Sequence, residues 1–157
     1  MSEEGMRRVT AIQNGTAIDH VPSGSSLKIL GMLGLLDNRS TPISLVMNVP
    51  SKKLERKDVM KVEDRELTQE ELDRLAIIAP NASVSIIRDY RVVEKRTVEL
   101  GTELRNIARC SFSNCITTNP REPLPHRILV HSKDPLELRC AYCGRIQSVD
   151  DIVNNLI

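Results

Sequence analysis

All four cysteines of this 157-residue chain fall in one stretch, "RCSFSNCITTNPREPLPHRILVHSKDPLELRCAYCGR". Cys110 and Cys115 form a C-x4-C knuckle, Cys140 and Cys143 form a C-x2-C knuckle, and 24 residues separate the pairs. Two such pairs supply four thiolates at about 2.3 Å in a tetrahedron, which saturates a zinc ion and leaves no position open for water. A closed site is structural. Four thiolates also suit iron, and the spacing does not choose between the two metals. A redox C-x-x-C accounts for Cys140 and Cys143 only, and its flanks lack the strand-to-helix setting of a thioredoxin site. His126 and His131 lie between the knuckles and read as loop residues, because four cysteines already complete the shell.

Elsewhere the common signatures fail. No GxxxxGK[ST], GxGxxG, HExxH or GxSxG motif occurs, and no nucleophile stands beside a base. What remains is charge near strand ends: Asp19 and His20 in "TAIDH", Lys61 in "VMKVE", and Lys95 after "YRVVE". Together such groups could hold phosphates and a ribose hydroxyl. Taken singly, the lysines read as solvated strand faces, Asp19 as a turn residue and His20 as a strand terminator.

Composition narrows the classes. Net charge is +1, with fifteen basic and fifteen acidic residues in 1–100 and seven and six in 101–157. Neither part has the basic surface of a nucleic-acid partner, and a zinc ion with four thiolates moves the C-terminal part to −1. Aromatics are confined to Phe112, Tyr90 and Tyr142, too few for a base-stacking platform. No segment approaches the roughly 20 apolar residues that span a bilayer, and no signal-peptide run opens the chain. The expectation is a cytoplasmic protein whose thiols stay reduced, which favours a metal over disulfides.

The elements that must position these groups follow from periodicity. "RRVTAIQN" (7–14) predicts a strand closed by Gly15, with "TAIDHV" continuing extended to Pro22. "SGSS" then caps a short buried helix, "LKILGMLGLL", whose Gly31 and Gly34 are expected to admit a close sheet. "PISLVMNVP" alternates as a strand ended by Pro50, "SKKLERKD" is a loop, and "VMKVE" is a short strand. "LTQEELDRLAIIAP" is a helix with a Thr68/Glu71 capping box, an apolar face of Leu72, Leu75, Ile78 and Ala79, and Pro80 as its stop. "ASVSIIRDYRVVEKR" is one long β-rich run. The order predicts an α+β protein: a split βαββαβ, ferredoxin-like sandwich over 1–100, largely antiparallel, with two helices. Residues 101–157 change character and hold few large apolar groups, so so small a domain needs a staple. They are expected to form a β-rich, zinc-ribbon or rubredoxin-like domain.

"AIQNGTAIDHVP", "ERKDVMKVE", "APNASVSIIRDYRVVEK" and the C-x4-C…C-x2-C tail, in that order over nearly the whole chain, resemble the regulatory chain of aspartate carbamoyltransferase. The resemblance implies a non-catalytic subunit. Its N-terminal domain would bind CTP as inhibitor and ATP as activator, with UTP reinforcing CTP, and so control pyrimidine biosynthesis. Its zinc domain would dock on the catalytic chain, in a dodecamer of two catalytic trimers and three regulatory homodimers. Carried over by position, Ala11, Ile12, Asp19, Val59, Lys61, Ile87, Tyr90 and Val92 would meet base and ribose, largely through backbone groups at Ile12 and Tyr90. His20 and Lys95 would face the phosphates. Ser85 stands where bacterial members carry Asn in "VNRI", Phe112 replaces an Asn, Gly144 replaces an acid, and Asn114 is kept.

Overall fold

The period-two pattern of the first hundred residues becomes five strands and two helices in a computed structural model, which describes residues 11–37, 41–52, 54–121, 123–133 and 135–157. The chain divides into two units, Met1–Leu100 and Gly101–Ile157. In the first, the order is β1 (Gly15–Pro22), α1 (Ser26–Met32), β2 (Ile43–Ser51), β3 (Glu55–Glu63), α2 (Gln69–Ile78), β4 (Ser83–Arg88) and β5 (Arg91–Thr97). The sheet runs β2-β3-β1-β4-β5 with every neighbour antiparallel. Strands β1 to β4 have the expected ferredoxin-like order, and β5 adds an edge to it.

The extra strand comes from the run "ASVSIIRDYRVVEKR", which folds back on itself at Asp89 and Tyr90. Both have positive φ, 51° and 65°, as a two-residue hairpin turn with the right-handed twist of its strands requires. An Asp-Tyr pair lacks the glycine that announces such a turn in a sequence.

Other boundaries shift for identifiable reasons. Of the strand expected over 7–14, residues 7–10 lie outside the described residues and 11–14 are not strand; β1 begins at Gly15. Gly15 opens the strand instead of closing one, with φ +145°, where a Cβ would sit 2.1 Å from the Val62 carbonyl oxygen. Gly34 does not admit a sheet: at φ +71° it ends α1, with Leu35 N–H donating back to Leu30 O at 2.8 Å, a Schellman closure. Gly31 faces Leu36. Pro50 lies within β2, which tolerates it as an edge strand. "ERKD", expected as loop, is the first half of β3.

Register sorts the side chains onto two faces. Thr16, Ile18, Met60, Val62, Val84 and Ile86 form one layer, whose Thr16 hydroxyl donates to Arg65 O and accepts from Leu67 N–H just before α2. Helix α2 begins with the expected Thr68/Glu71 capping box and buries Leu72, Leu75, Ala76 and Ile77. Ala79 caps it, and Ile78 is only half-buried.

In the second unit β6 (Glu103–Arg105), β7 (Arg127–Lys133), β8 (Leu136–Cys140) and β9 (Ile146–Gln147) form an antiparallel sheet in that order. A 3-10 turn (Ile116–Thr118) follows the first knuckle and α3 (Val149–Asn154) closes the chain. Ser148 and Asp151 form a second complete capping box. The last residues are tied back beside the first knuckle, Arg109 N–H donating to Asn155 O and Ile157 N–H to Ile107 O.

Candidate functional sites: a charged sheet face and a four-thiolate centre

The second face of the five-stranded sheet carries the charges. Cross-strand pairing aligns Ser44, Lys61, Ala17, Ser85 and Lys95 in one row, and directly opposed residues of antiparallel strands point to the same side. Val59 and Asp19 occupy the next row. Ile12 and Ile87 pack on Ala17 to form an apolar patch on this face. The structure therefore brings Ile12, Asp19, Val59, Lys61, Ser85, Ile87 and Lys95 onto one surface. Ala11 is exposed ahead of β1, and Tyr90 and Val92 are exposed around the β4–β5 turn. The Tyr90 N–H donates to Gln13 O.

Three β-bulges bend this surface, at Asp19/His20 opposite Val59, at Met47/Asn48 opposite Asp58, and at Val93. Bulges re-aim side chains. His20, in the left-handed region at φ 59°, turns its ring so that Nδ1 lies 3.1 Å from Ser83 Oγ, and its N–H donates to Asp19 Oδ1. Asp58 accepts from Gly24, Ser26 and Asn48 N–H groups, which fixes the start of α1 against the second bulge.

Burial here overturns the solvated reading of the charged strand. Lys61 is 1% exposed, and Asp19 and Lys57 are fully buried with Lys57 Nζ 2.7 Å from Asp19 Oδ1. Burial pulls the Lys61 ammonium below its ordinary value. Burial works to raise the Asp19 carboxyl, but the Lys57 and His20 hydrogen bonds outweigh it and hold it low. Lys95 stays exposed at the rim. Sequence reasoning missed Lys57, because "SKKLERKD" reads as a polar loop, whereas its second half opens β3.

In the second unit Cys110 and Cys115 border the first loop, Cys140 ends β8 and Cys143 sits in the turn to β9. Gly144, at φ +72°, closes that turn with its N–H donating to Cys140 O. All four sulfurs lie within 4.8 Å of one another. Cys110–Cys143 and Cys115–Cys140 are each 3.7 Å apart, too far for a disulfide of about 2.05 Å. Metal–sulfur bonds of about 2.3 Å in a tetrahedron give sulfur edges of roughly 3.8 Å, so the donor set fits a four-thiolate metal centre. Burial pushes the Cys110 thiol up to about 12 and raises Cys140. At Cys115 burial is outweighed by the Thr117 hydroxyl, 3.1 Å from Sγ, and by the Thr117 backbone, which bring it to about 7. No sequence motif flagged Thr117 or Gln147, both buried against the sulfurs.

On the outer side, Arg145 bridges the knuckles. Its guanidinium lies 4.8 Å from the Phe112 ring centroid and donates to Asn114 Oδ1. Phe112, Ile116 and Ile146 are exposed.

Comparison with known proteins agrees with this division. Residues 7–99 match the family model for the aspartate carbamoyltransferase regulatory chain, allosteric domain, and residues 102–153 the model for its metal binding domain. Sheet and thiolate cluster thus define a two-part, non-catalytic regulatory subunit with an allosteric and a metal-binding domain. Chains named aspartate carbamoyltransferase regulatory chain are similar throughout. That of Pyrococcus abyssi is 48% identical over 151 residues, 95% of this chain and 97% of its own. That of Thermofilum pendens is 46% identical over 155 residues, 99% and 97%, and that of Korarchaeum cryptofilum 45% over 148, 94% of each. The chain belongs to the aspartate carbamoyltransferase regulatory chain family. Among its described residues no helix is long and apolar enough to cross a membrane.

Proposed function

We propose that the charged face of the first unit is an effector site for CTP and ATP, with UTP as a further ligand, and that the thiolate centre holds Zn²⁺. The observation that carries the effector reading is the row Lys61–Ser85–Lys95, flanked by the Asp19 bulge and the Ile12/Ile87 patch. Lys95 at the rim and His20 in the bulge face the triphosphate. Lys61 adds a cation whose burial strengthens its pull on an anion. Val59, Ile87, Val92 and the backbone at Ala11, Ile12 and Tyr90 take the base, and Asp19, steadied by Lys57, takes the ribose.

The zinc domain, residues 101–157, docks on the catalytic chain, and the regulatory chain works as a homodimer within a dodecamer of two catalytic trimers and three regulatory dimers in the cytoplasm. Exposed Phe112, against the Arg145 guanidinium that also donates to Asn114, suits such a contact, as do exposed Ile116 and Ile146. When bound, Zn²⁺ supplies cross-linking of the two knuckles; Cys110, Cys115, Cys140 and Cys143 hold it. Effectors act on pyrimidine biosynthesis by favouring one of two quaternary states, at typical couplings of about 1–3 kcal/mol.

The test uses Lys95→Ala, because an exposed lysine can be removed without disturbing the sheet. Calorimetry is expected to show CTP and ATP binding weakened about tenfold or more, with assembly on catalytic trimers intact. Unchanged binding overturns the phosphate role.

A further inference from the structure

Gln147 has the burial of a core residue and the bonding of a ligand support. It is 2% exposed and pairs across β8–β9 with Leu138. Its Oε1 accepts from Ser111 N–H at 2.9 Å and from Ser111 Oγ at 2.7 Å. A backbone N–H can only donate, so the amide oxygen is the atom facing Ser111 and the amide nitrogen must be the one turned to the sulfur. That nitrogen lies 3.5 Å from Cys110 Sγ and 3.3 Å from Arg145 O. The side chain therefore leaves the strand after the second knuckle and grips the first one at both its sulfur and its next residue. Its amide nitrogen and its amide oxygen are both engaged.

We propose that Gln147 is a positioning residue of the metal centre, spanning the two cysteine knuckles and setting how tightly the four thiolates hold their ion. Four thiolates around a divalent ion carry a net charge of −2, and a donor aimed at one sulfur draws off part of that charge. The Thr117 hydroxyl has the same relation to Cys115, so each sulfur of the first knuckle has a side-chain neighbour able to donate. Cys143, the least buried of the four, has none among the described contacts.

The inference rests on the metal-centre reading, and cobalt substitution separates the two. The full chain loaded with Co²⁺ is expected to show a thiolate-to-cobalt charge-transfer band. Gln147→Leu removes the donor, which raises the sulfur lone pairs in energy and moves that band to longer wavelength. Zn²⁺ loss to a metallochromic chelator then becomes about tenfold faster or more. Ser111→Ala removes one of the two anchors of Oε1 and is expected to shift both readouts the same way by less. Wild-type band and release rate in both variants overturn the role of Gln147. Should Gln147→Leu take up no cobalt, Ser111→Ala decides alone, an unchanged band and rate overturning the proposal. A wild-type chain with no thiolate band overturns the metal centre itself.

Discussion

The two units of this chain solve the problem of burying polar groups in opposite ways. The first has aliphatic residues to spare. Ile18, Met60, Val62, Leu72, Leu75 and Ile86 close the helical side of its sheet, and the second face still buries Ala17, Val59 and Ile87 around Asp19, Lys57 and Lys61. In the second unit the buried aliphatics among the described residues are Leu104, Ala108, Ile128, Leu138 and Ile152. So small a core cannot offset the ordering of the chain, and the buried cysteines take the central place. A large core can hold charges as a site; a small one has to make its polar groups into the staple.

The comparison breaks most visibly at the metal. Chelation, or Cys140→Ala, is expected to remove about 10 kcal/mol or more of apparent binding free energy from residues 101–157. Amide hydrogen exchange should then show the second unit losing protection while β1–β5 keep theirs, and the metal-free chain should no longer hold the catalytic chain. Equal loss of protection in both units would mean that the metal does not hold the second unit separately from the first.

The next effect belongs to the first unit. Lys57→Met leaves the Asp19 carboxylate without the ammonium 2.7 Å away, both groups being fully buried. Breaking one partner of such a pair costs about 3–5 kcal/mol. Urea unfolding of residues 1–100 should show it, and the metal content of the chain should not change. A loss near zero would mean that the sheet face is more open to water than its geometry indicates.

Acid probes the same pair. The folded Asp19 carboxyl titrates below its unfolded value, near 3.9. Its contribution is therefore fully present above that unfolded value and is lost as pH falls through the lower folded one. The urea midpoint of the first unit is expected to be level in this respect down to about pH 4 and to fall below it. Asp19→Asn should flatten that fall; an unaltered acid slope would assign it to other carboxyls.

Much of this difference is legible in the sequence. The C-x4-C and C-x2-C knuckles stated the four-thiolate centre outright, because ligand number and spacing are local properties of sequence. The ferredoxin-like order was legible too, since alternation and a capping box mark elements. What escaped were features set by distant partners. Lys61 alternates like a solvated residue and Lys57 lies in a stretch that reads as a loop, and both are buried only in the folded sheet. The Asp89–Tyr90 turn carries no glycine, so β4 and β5 read as one run. Gln147 is one polar residue in a two-residue strand, and its sulfur contact exists only once the knuckles meet.

The smallest expected effect sharpens the comparison furthest, because the same lesion can be placed in both units. Helices α2 and α3 each start with a complete capping box, Thr68 with Glu71 and Ser148 with Asp151. Loss of such a hydroxyl costs about 1 kcal/mol. In Thr68→Ala that loss falls on a unit held by its own packing, and it should appear in full as a lower urea midpoint. In Ser148→Ala it falls on a six-residue helix beside a metal-held core. There it lets the short helix near the chain's end fray locally, so the melting of the loaded unit should barely move while amide exchange within α3 quickens about fivefold. Calorimetric scans of both loaded variants, with amide exchange of α3, check this. An equal shift in the two loaded units would show that packing, not the thiolate centre, limits the stability of residues 101–157.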